Sequence, residues 1–124
     1  MGAGNFKAVF TQQEGELCLV RLMGELDLGH AAAFRERLFA VANQTVVVDL
    51  SELSFIDSSG LAAFVFANNR AIQLGHELVV TQPQPQVKRA FELTGLNDLI
   101  EPSVAEWREA GPHVPPEGTE SASS

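Results

Sequence analysis

The run Thr45-Val46-Val47-Val48-Asp49-Leu50, and the turn Asp57-Ser58-Ser59-Gly60 that follows it, decide the fold of this chain. The first run is apolar and β-branched, which predicts a strand buried on both faces at the centre of a sheet. From Leu61 to Leu74 the chain contains no Gly or Pro, which predicts a helix that ends at Gly75. Asp and Ser side chains at a helix start satisfy its free amide groups. We expect Ser58 to be the N-cap, with Asp57 as the competing candidate.

The residues before this unit predict a hairpin and a first helix. Phe6–Phe10 and Glu16–Met23 have strand-like patterns on either side of a polar turn, and Gly24 is expected to end the second strand. Asp27 is the predicted N-cap of the next helix. The apolar stripe of that helix is expected to be Ala31, Phe34, Leu38 and Val41, with a stop near Asn43.

The residues after Gly75 predict a further strand and helix. Glu77–Thr81 has a strand pattern, and Pro83 and Pro85 are residues that open helices. Val87, Ala90, Phe91 and Thr94 then form a helical stripe closed by Gly95, and Leu99-Ile100 predicts a short edge strand.

The chain as a whole is expected to be one α/β domain over residues 1–110. We predict a mixed, mainly parallel sheet of about four to five strands, entered by an N-terminal hairpin, with helices packed on it. Residues 103–110 are expected to add a last helical turn or two. Residues 111–124, rich in Pro, Ser and Glu, are expected to be a disordered tail.

Composition narrows the classes of partner. The 124 residues carry 16 acidic and 8 basic side chains, a formal charge of −8, which argues against nucleic acid or an anionic membrane as the main partner. No apolar run approaches the ~18 residues of a membrane span, and no leader pattern is present, so we expect a cytoplasmic protein. Cys18 is the single cysteine, which excludes an internal disulfide, and we expect it to be buried.

The sequence lacks the patterns of an enzyme. Ser58 and Ser59 stand in Ile-Asp-Ser-Ser-Gly rather than G-x-S-x-G, and no phosphate-binding glycine motif occurs. His30 and His76 are expected to be exposed, and Asp49 to end its strand. Three histidines and one cysteine offer no metal-ligand spacing. We predict a protein that is not an enzyme and has no cofactor and no metal.

The helix after Ser59 has two faces at helical spacing. Leu61, Phe64, Val65, Asn68 and Ile72 are expected to pack on the sheet. The other face carries Ser59 with small side chains and one aromatic ring, namely Ala62, Ala63, Phe66, Arg70 and Gln73. Phe66 on this face either packs under a neighbouring element or belongs to a flat patch on which a partner docks.

Four motifs together resemble an anti-sigma factor antagonist with a STAS domain. They are Gly24-Glu25-Leu26-Asp27, Val46–Leu50, Phe55–Leu61 and Leu93-Thr94-Gly95-Leu96. The resemblance covers about residues 6 to 110. It implies that the chain binds an anti-sigma factor that is a serine kinase of the GHKL type, and so frees a sigma factor. It further implies that the kinase phosphorylates the second serine of the motif, Ser59, with Ser58 as the alternative, and that a PP2C-type phosphatase reverses the reaction.

The resemblance, with the shared helix face, also yields a candidate docking surface. Its expected members are Asp27, Asp57, Ser58, Gly60, Ala62, Ala63, Phe66 and Arg70. The alternative function is a STAS scaffold or accessory subunit, in a stressosome-like assembly or a lipid or anion transport complex. A switch is expected to be a monomer or weak homodimer, whereas a scaffold is expected to form large stable assemblies.

Overall fold

A computed structural model describes residues 5–42 and 44–101. The helical turns expected at 103–110 and the tail from residue 111 lie outside the described residues. The elements are β1 Phe6–Gln13, β2 Leu17–Leu26, α1 Leu28–Phe39, β3 Thr45–Ile56, α2 Ser58–Leu74, β4 Glu77–Thr81, α3 Pro85–Leu93, a 3₁₀ turn Asn97–Leu99 and β5 Ile100–Glu101.

The five strands form one sheet in the order β1-β2-β3-β4-β5. β1 and β2 pair antiparallel, and each later pair is parallel. This confirms the predicted hairpin, the mainly parallel mixed sheet and the central place of β3. The parallel strands end at one edge of the sheet, where α1 and α2 begin directly after β2 and β3.

Three strands are longer than predicted, and the first of them, β1, continues past Phe10 to Gln13. β2 does not end at Gly24 but continues to Leu26, with irregularities in its pairing to β3 on either side of that glycine. Gly24 has φ +92°, and a Cβ there would lie 1.9 Å from the carbonyl oxygen of Asn5, so only glycine lets the two backbones pass this closely. β3 continues to Ile56, so Asp49 lies within the strand rather than at its end.

The core lies between the sheet and the helices. Phe34, Phe64 and Phe91, one from each helix, are buried, with ring centroids 5.5 Å apart for the first pair and 5.2 Å for the second. Tilted and edge-on ring pairs of this kind add to the gain from apolar burial. Cys18 is buried, as expected.

Helix α2 buries a different stripe from the predicted one. Leu61 and Phe64 are buried, but Val65 and Ile72 are exposed, and Ala63 and Ala67 are buried instead. The reason is that α2 packs against α1 as well as the sheet, which turns its buried stripe toward the alanines.

Two predicted helix boundaries are confirmed and one is wrong. α2 ends at Gly75 with φ +72°, and α3 begins at Pro85, both as predicted. α1 ends at Phe39, before the stop expected near Asn43, and Val41 is half-buried beyond the helix rather than part of its stripe. Among the described residues, no helix has the length and apolar character needed to cross a membrane.

Candidate functional site

Asp57 connects the starts of α1 and α2. Its Oδ1 accepts hydrogen bonds from the backbone N–H of Ser59 at 2.9 Å and of Gly60 at 3.1 Å. Its Oδ2 accepts one from the N–H of Leu28 at 3.2 Å, in the first turn of the neighbouring helix. Asp57 is therefore the N-cap of α2, and the preference for Ser58 was wrong, because Ser58 is the exposed first residue of the helix.

The Ser59 hydroxyl is hydrogen-bonded to the Asp57 carboxylate. Ser59 Oγ donates to Asp57 Oδ1 at 2.5 Å, and the serine is half-buried. Burial alone raises the pKa of the Asp57 carboxyl. The hydrogen bonds from the Ser59 hydroxyl and from the N–H groups of Gly60, Ser59 and Leu28 outweigh burial and hold that pKa below its ordinary value. Asp57 is thus an anion beside a serine hydroxyl.

Asp27 occupies the equivalent position on α1. Its Oδ1 accepts from the N–H of Gly29 at 3.1 Å and lies 2.8 Å from Nδ1 of His30, which confirms the predicted cap. His30 is half-buried and its ring lies 5.4 Å from that of Phe6, and His76 is half-buried too, so the exposure expected for both was wrong. The two capping carboxylates stand at adjacent helix starts.

Helices α1 and α2 run side by side in the same direction. Their contacts follow one another in order, from Leu28 against Asp57, through Arg35 against Phe66, to Phe39 against Arg70. Between the first halves of the helices lies a shallow cleft, which we call the α1–α2 cleft. It is lined by Leu28, Ala31, Ala32, Arg35, Ser59, Ala62, Ala63 and Phe66.

The rim of this cleft carries exposed apolar side chains and an arginine. Leu28 is 78% exposed and Phe66 is 50% exposed. The Arg35 guanidinium carbon lies 5.3 Å from the Phe66 ring centroid, and Arg70 stands at the same distance from Phe39. Phe66 thus remains half exposed, while the guanidinium of Arg35 from the neighbouring helix lies over its ring.

The structure brings most of the predicted surface together. Ser59, Ala62 and Phe66 line the α1–α2 cleft. Asp27 and Asp57 lie at the end where the two helices begin, and Arg70 lies beyond Phe66 toward the end of α2.

Gly60 and Ala63 differ from the rest of the predicted surface because both are buried. A Cβ on Gly60 would lie 2.7 Å from Ile56 Cγ1, so this glycine serves the packing of α2 on the strand ends. Ala63 is 3% exposed and forms part of the cleft floor.

Sequence reasoning missed Leu28 and Arg35. Both belong to α1, and neither was assigned to the docking surface from the sequence. The one available signal was Leu28, an isolated apolar residue next to the cap Asp27. The role of Arg35 depends on α1 lying beside α2, and neither helix sequence alone indicates that arrangement. In residues 5–42 and 44–101, no group of His, Cys, Asp and Glu is arranged to hold a metal ion.

Comparisons with known proteins agree with this geometry. A family model described as the STAS domain matches residues 8–109. The anti-sigma-B factor antagonist of Listeria monocytogenes is 40% identical over 81 residues, which are 63% of this chain and 71% of that protein. The anti-sigma-B factor antagonist of Bacillus subtilis is 31% identical over 99 residues, 78% of this chain and 90% of that protein.

Two solved structures share the fold. The anti-sigma factor antagonist SpoIIAA in its unphosphorylated form gives a TM-score of 0.74 at 23% identity, covering 87% of this chain and 100% of that one. Bacillus SpoIIAA in the phosphorylated form gives 0.68 at 22% identity, covering 84% and 97%. The family match spans most of the chain, and both relatives are named anti-sigma-B factor antagonists. The chain belongs to the STAS domain family.

Proposed function

We propose that this chain is an anti-sigma factor antagonist, which acts in the cytoplasm by binding an anti-sigma factor and so releasing a sigma factor. The names of the relatives support the proposal. The observation that carries it is the position of Ser59, at a helix start and on the lining of a partly apolar cleft. The proposed action is binding, with no catalysis by the chain itself.

The proposed partner is a serine kinase of the GHKL type, which modifies Ser59 and thereby ends the complex. Ser59 is favoured over Ser58 because Ser59 lines the α1–α2 cleft, whereas Ser58 is exposed outside it. A partner seated on the cleft would be in contact with the hydroxyl. A PP2C-type phosphatase would restore the unmodified protein.

Phosphorylation of Ser59 would change this surface in three ways. The hydroxyl would no longer donate to Asp57, the new group would bring about −1.5 to −2 charges beside an existing carboxylate, and its hydrated bulk would separate the cleft from a partner. A loss of about 3 kcal/mol of binding free energy weakens affinity by more than a hundredfold. The fold need not change for the partner to leave.

Phosphate mapping tests the modified residue. The wild-type chain and the matched variants Ser59→Ala and Ser58→Ala are incubated with native cell extract and ATP, and phosphate is located by mass spectrometry. We expect labelling at Ser59 in the wild type and in Ser58→Ala, and none in Ser59→Ala. Phosphate confined to Ser58 or to another residue would contradict the assignment.

Partner capture tests the switch. With ATP present, we expect Ser59→Ala to retain an ATP-binding kinase, the wild type to release it, and Ser59→Asp to bind it weakly. A PP2C-type phosphatase is expected to restore binding by the wild type alone. Retention that is the same for all three baits would overturn the proposal. A large stable assembly on size exclusion without the kinase would instead favour the scaffold function.

A matched pair of aromatic variants tests the docking surface. Phe66 is 50% exposed on the cleft, and Phe55 is 45% exposed on β3, outside it. We expect Phe66→Ala to weaken kinase binding at least tenfold, and Phe55→Ala to leave it unchanged, with both folded by circular dichroism. Asp27, Ala62 and Arg70 are the next positions to substitute. Equal affinity for both variants would place docking elsewhere.

A further inference from the structure

Arg35 is the charged residue of the α1–α2 cleft. Among the described residues that line the cleft, it is the only one with a charged side chain. It is half-buried, and its guanidinium lies over the Phe66 ring at 5.3 Å. A cation placed on a ring face is held by a modest attraction when it is partly exposed, so it can be drawn away by an anion.

The N–H groups of Ser59 and Gly60, at the start of α2, already have a hydrogen-bond acceptor. A phosphate at a helix start is ordinarily stabilised by free N–H groups. Here the N–H groups of Ser59 and Gly60 donate to Asp57, so a phosphate on Ser59 would compete with a carboxylate for them. A phosphate on Ser59 would therefore gain from another positive partner.

Arg35 is placed to be that partner. It lines the same cleft as Ser59, and long side chains on a helix lean toward its N-terminus, which on α1 is the Ser59 end. Guanidinium groups pair with phosphate through two parallel hydrogen bonds, which a ring face does not offer.

We propose that Arg35 reads the phosphorylation state of Ser59: when Ser59 carries a phosphate, the Arg35 guanidinium leaves the Phe66 ring and pairs with it. The inference rests on the proposed modification of Ser59. Its consequence is that one phosphate alters the whole cleft. The charge of Arg35 is then neutralised by the phosphate, and the ring of Phe66 becomes uncovered, so both changes extend beyond Ser59.

The test measures the phosphate directly. Phosphoserine is installed at position 59 of the full chain during translation, and its second ionisation is followed by ³¹P NMR against pH. A nearby guanidinium favours the dianion, so we expect Arg35→Gln to raise the titration midpoint by about half a pH unit, as for a partly exposed ion pair. Arg37→Gln is the matched control, since Arg37 on the same helix lies over Phe10 and donates to Ala8. It should leave the midpoint unchanged.

A second readout follows the ring. In the unmodified chain, the side-chain protons of Arg35 should show upfield shifts from the Phe66 ring, and these should vanish in the phosphorylated chain. Equal midpoints for wild type and Arg35→Gln, or ring shifts that survive phosphorylation, would overturn the inference. The phosphate is installed without a kinase, so failure of kinase labelling would defeat the proposed function while leaving this measurement intact.

Discussion

Asp57 Oδ2 accepts a hydrogen bond from the backbone N–H of Leu28 at 3.2 Å, so the cap of α2 also holds the start of α1. One carboxylate thus links the starts of the two helices that form the cleft. The same carboxylate accepts the Ser59 hydroxyl. The cap, the spacing of the helices and the environment of Ser59 therefore depend on one side chain.

Removing this cap should destabilise the fold in a pH-dependent way. Asp57→Ala is expected to cost about 1 kcal/mol of unfolding free energy at pH 7, and Asp57→Asn less, since Asn also caps helices. The folded pKa of Asp57 is lowered, so its charge contributes stability above its unfolded pKa of about 4, and that stability disappears as pH falls through the folded pKa.

Urea unfolding of wild type and variants at several pH values measures this effect. The gap between wild type and Asp57→Asn should narrow as pH falls below about 4. Asp98→Ala, at an exposed acidic residue, is the control and should change little. A gap that widens in acid would mean that the charge of Asp57 does not stabilise the fold.

Two glycines in the first turns of helices should respond in opposite directions to alanine. A Cβ on Gly60 would lie 2.7 Å from Ile56 Cγ1 and 3.0 Å from the carbonyl oxygen of Leu26, so Gly60→Ala is expected to cost about 1–3 kcal/mol. Gly29 has nothing nearer than 3.5 Å, so Gly29→Ala should stabilise by up to about 1 kcal/mol. Thermal unfolding compares the pair, and a neutral Gly60→Ala would show that α2 can move off the strand ends.

Substitution of two threonines by valine should change the free energy of unfolding differently. Thr81 Oγ1 is buried without a hydrogen-bond partner among the described residues, so Thr81→Val should be neutral or stabilise by about 1 kcal/mol. Thr94 Oγ1 donates to the carbonyls of Ala90 at 2.9 Å and Phe91 at 3.1 Å at the end of α3. Thr94→Val should therefore cost about 0.5–1 kcal/mol in chemical denaturation. A clear loss in Thr81→Val would reveal a partner for that hydroxyl.

The rate at which the Cys18 thiol is labelled should measure how often the sheet opens. Burial raises the pKa of this thiol, against a smaller lowering by a backbone hydrogen bond at Thr11. Since the thiolate is the reactive form, we expect an aromatic disulfide reagent at pH 8 to label the native chain at least about a hundredfold more slowly than the unfolded chain. Rapid labelling without denaturant would show that β1 and β2 separate easily.

The sequence by itself determined the elements and their order. Short-range patterns were sufficient for this, because a buried strand, a helix stripe and an αL glycine are properties of neighbouring residues. They placed β4 at Glu77–Thr81 and the end of α2 at Gly75. The neighbouring residues also indicated Asp27 and Asp57 as candidate caps. The preference for Ser58 over Asp57 was wrong, because Asp and Ser both cap helices and only the position of the backbone distinguishes them.

What only the tertiary structure decided was how α1 lies against α2. The strands β2 and β3 were predicted to end at Gly24 and Leu50, but both continue further. They do so because each pairs with the other beyond those residues, and a single strand's sequence does not show that pairing. In the same way, nothing in α1 shows that Arg35 lies over Phe66, nothing in α2 shows that Ala63 is buried, and the contact of Leu28 with Asp57 joins residues far apart in the chain. Contacts between elements depend on two sequences at once, so the α1–α2 cleft could be recognised only when both helices stood in place.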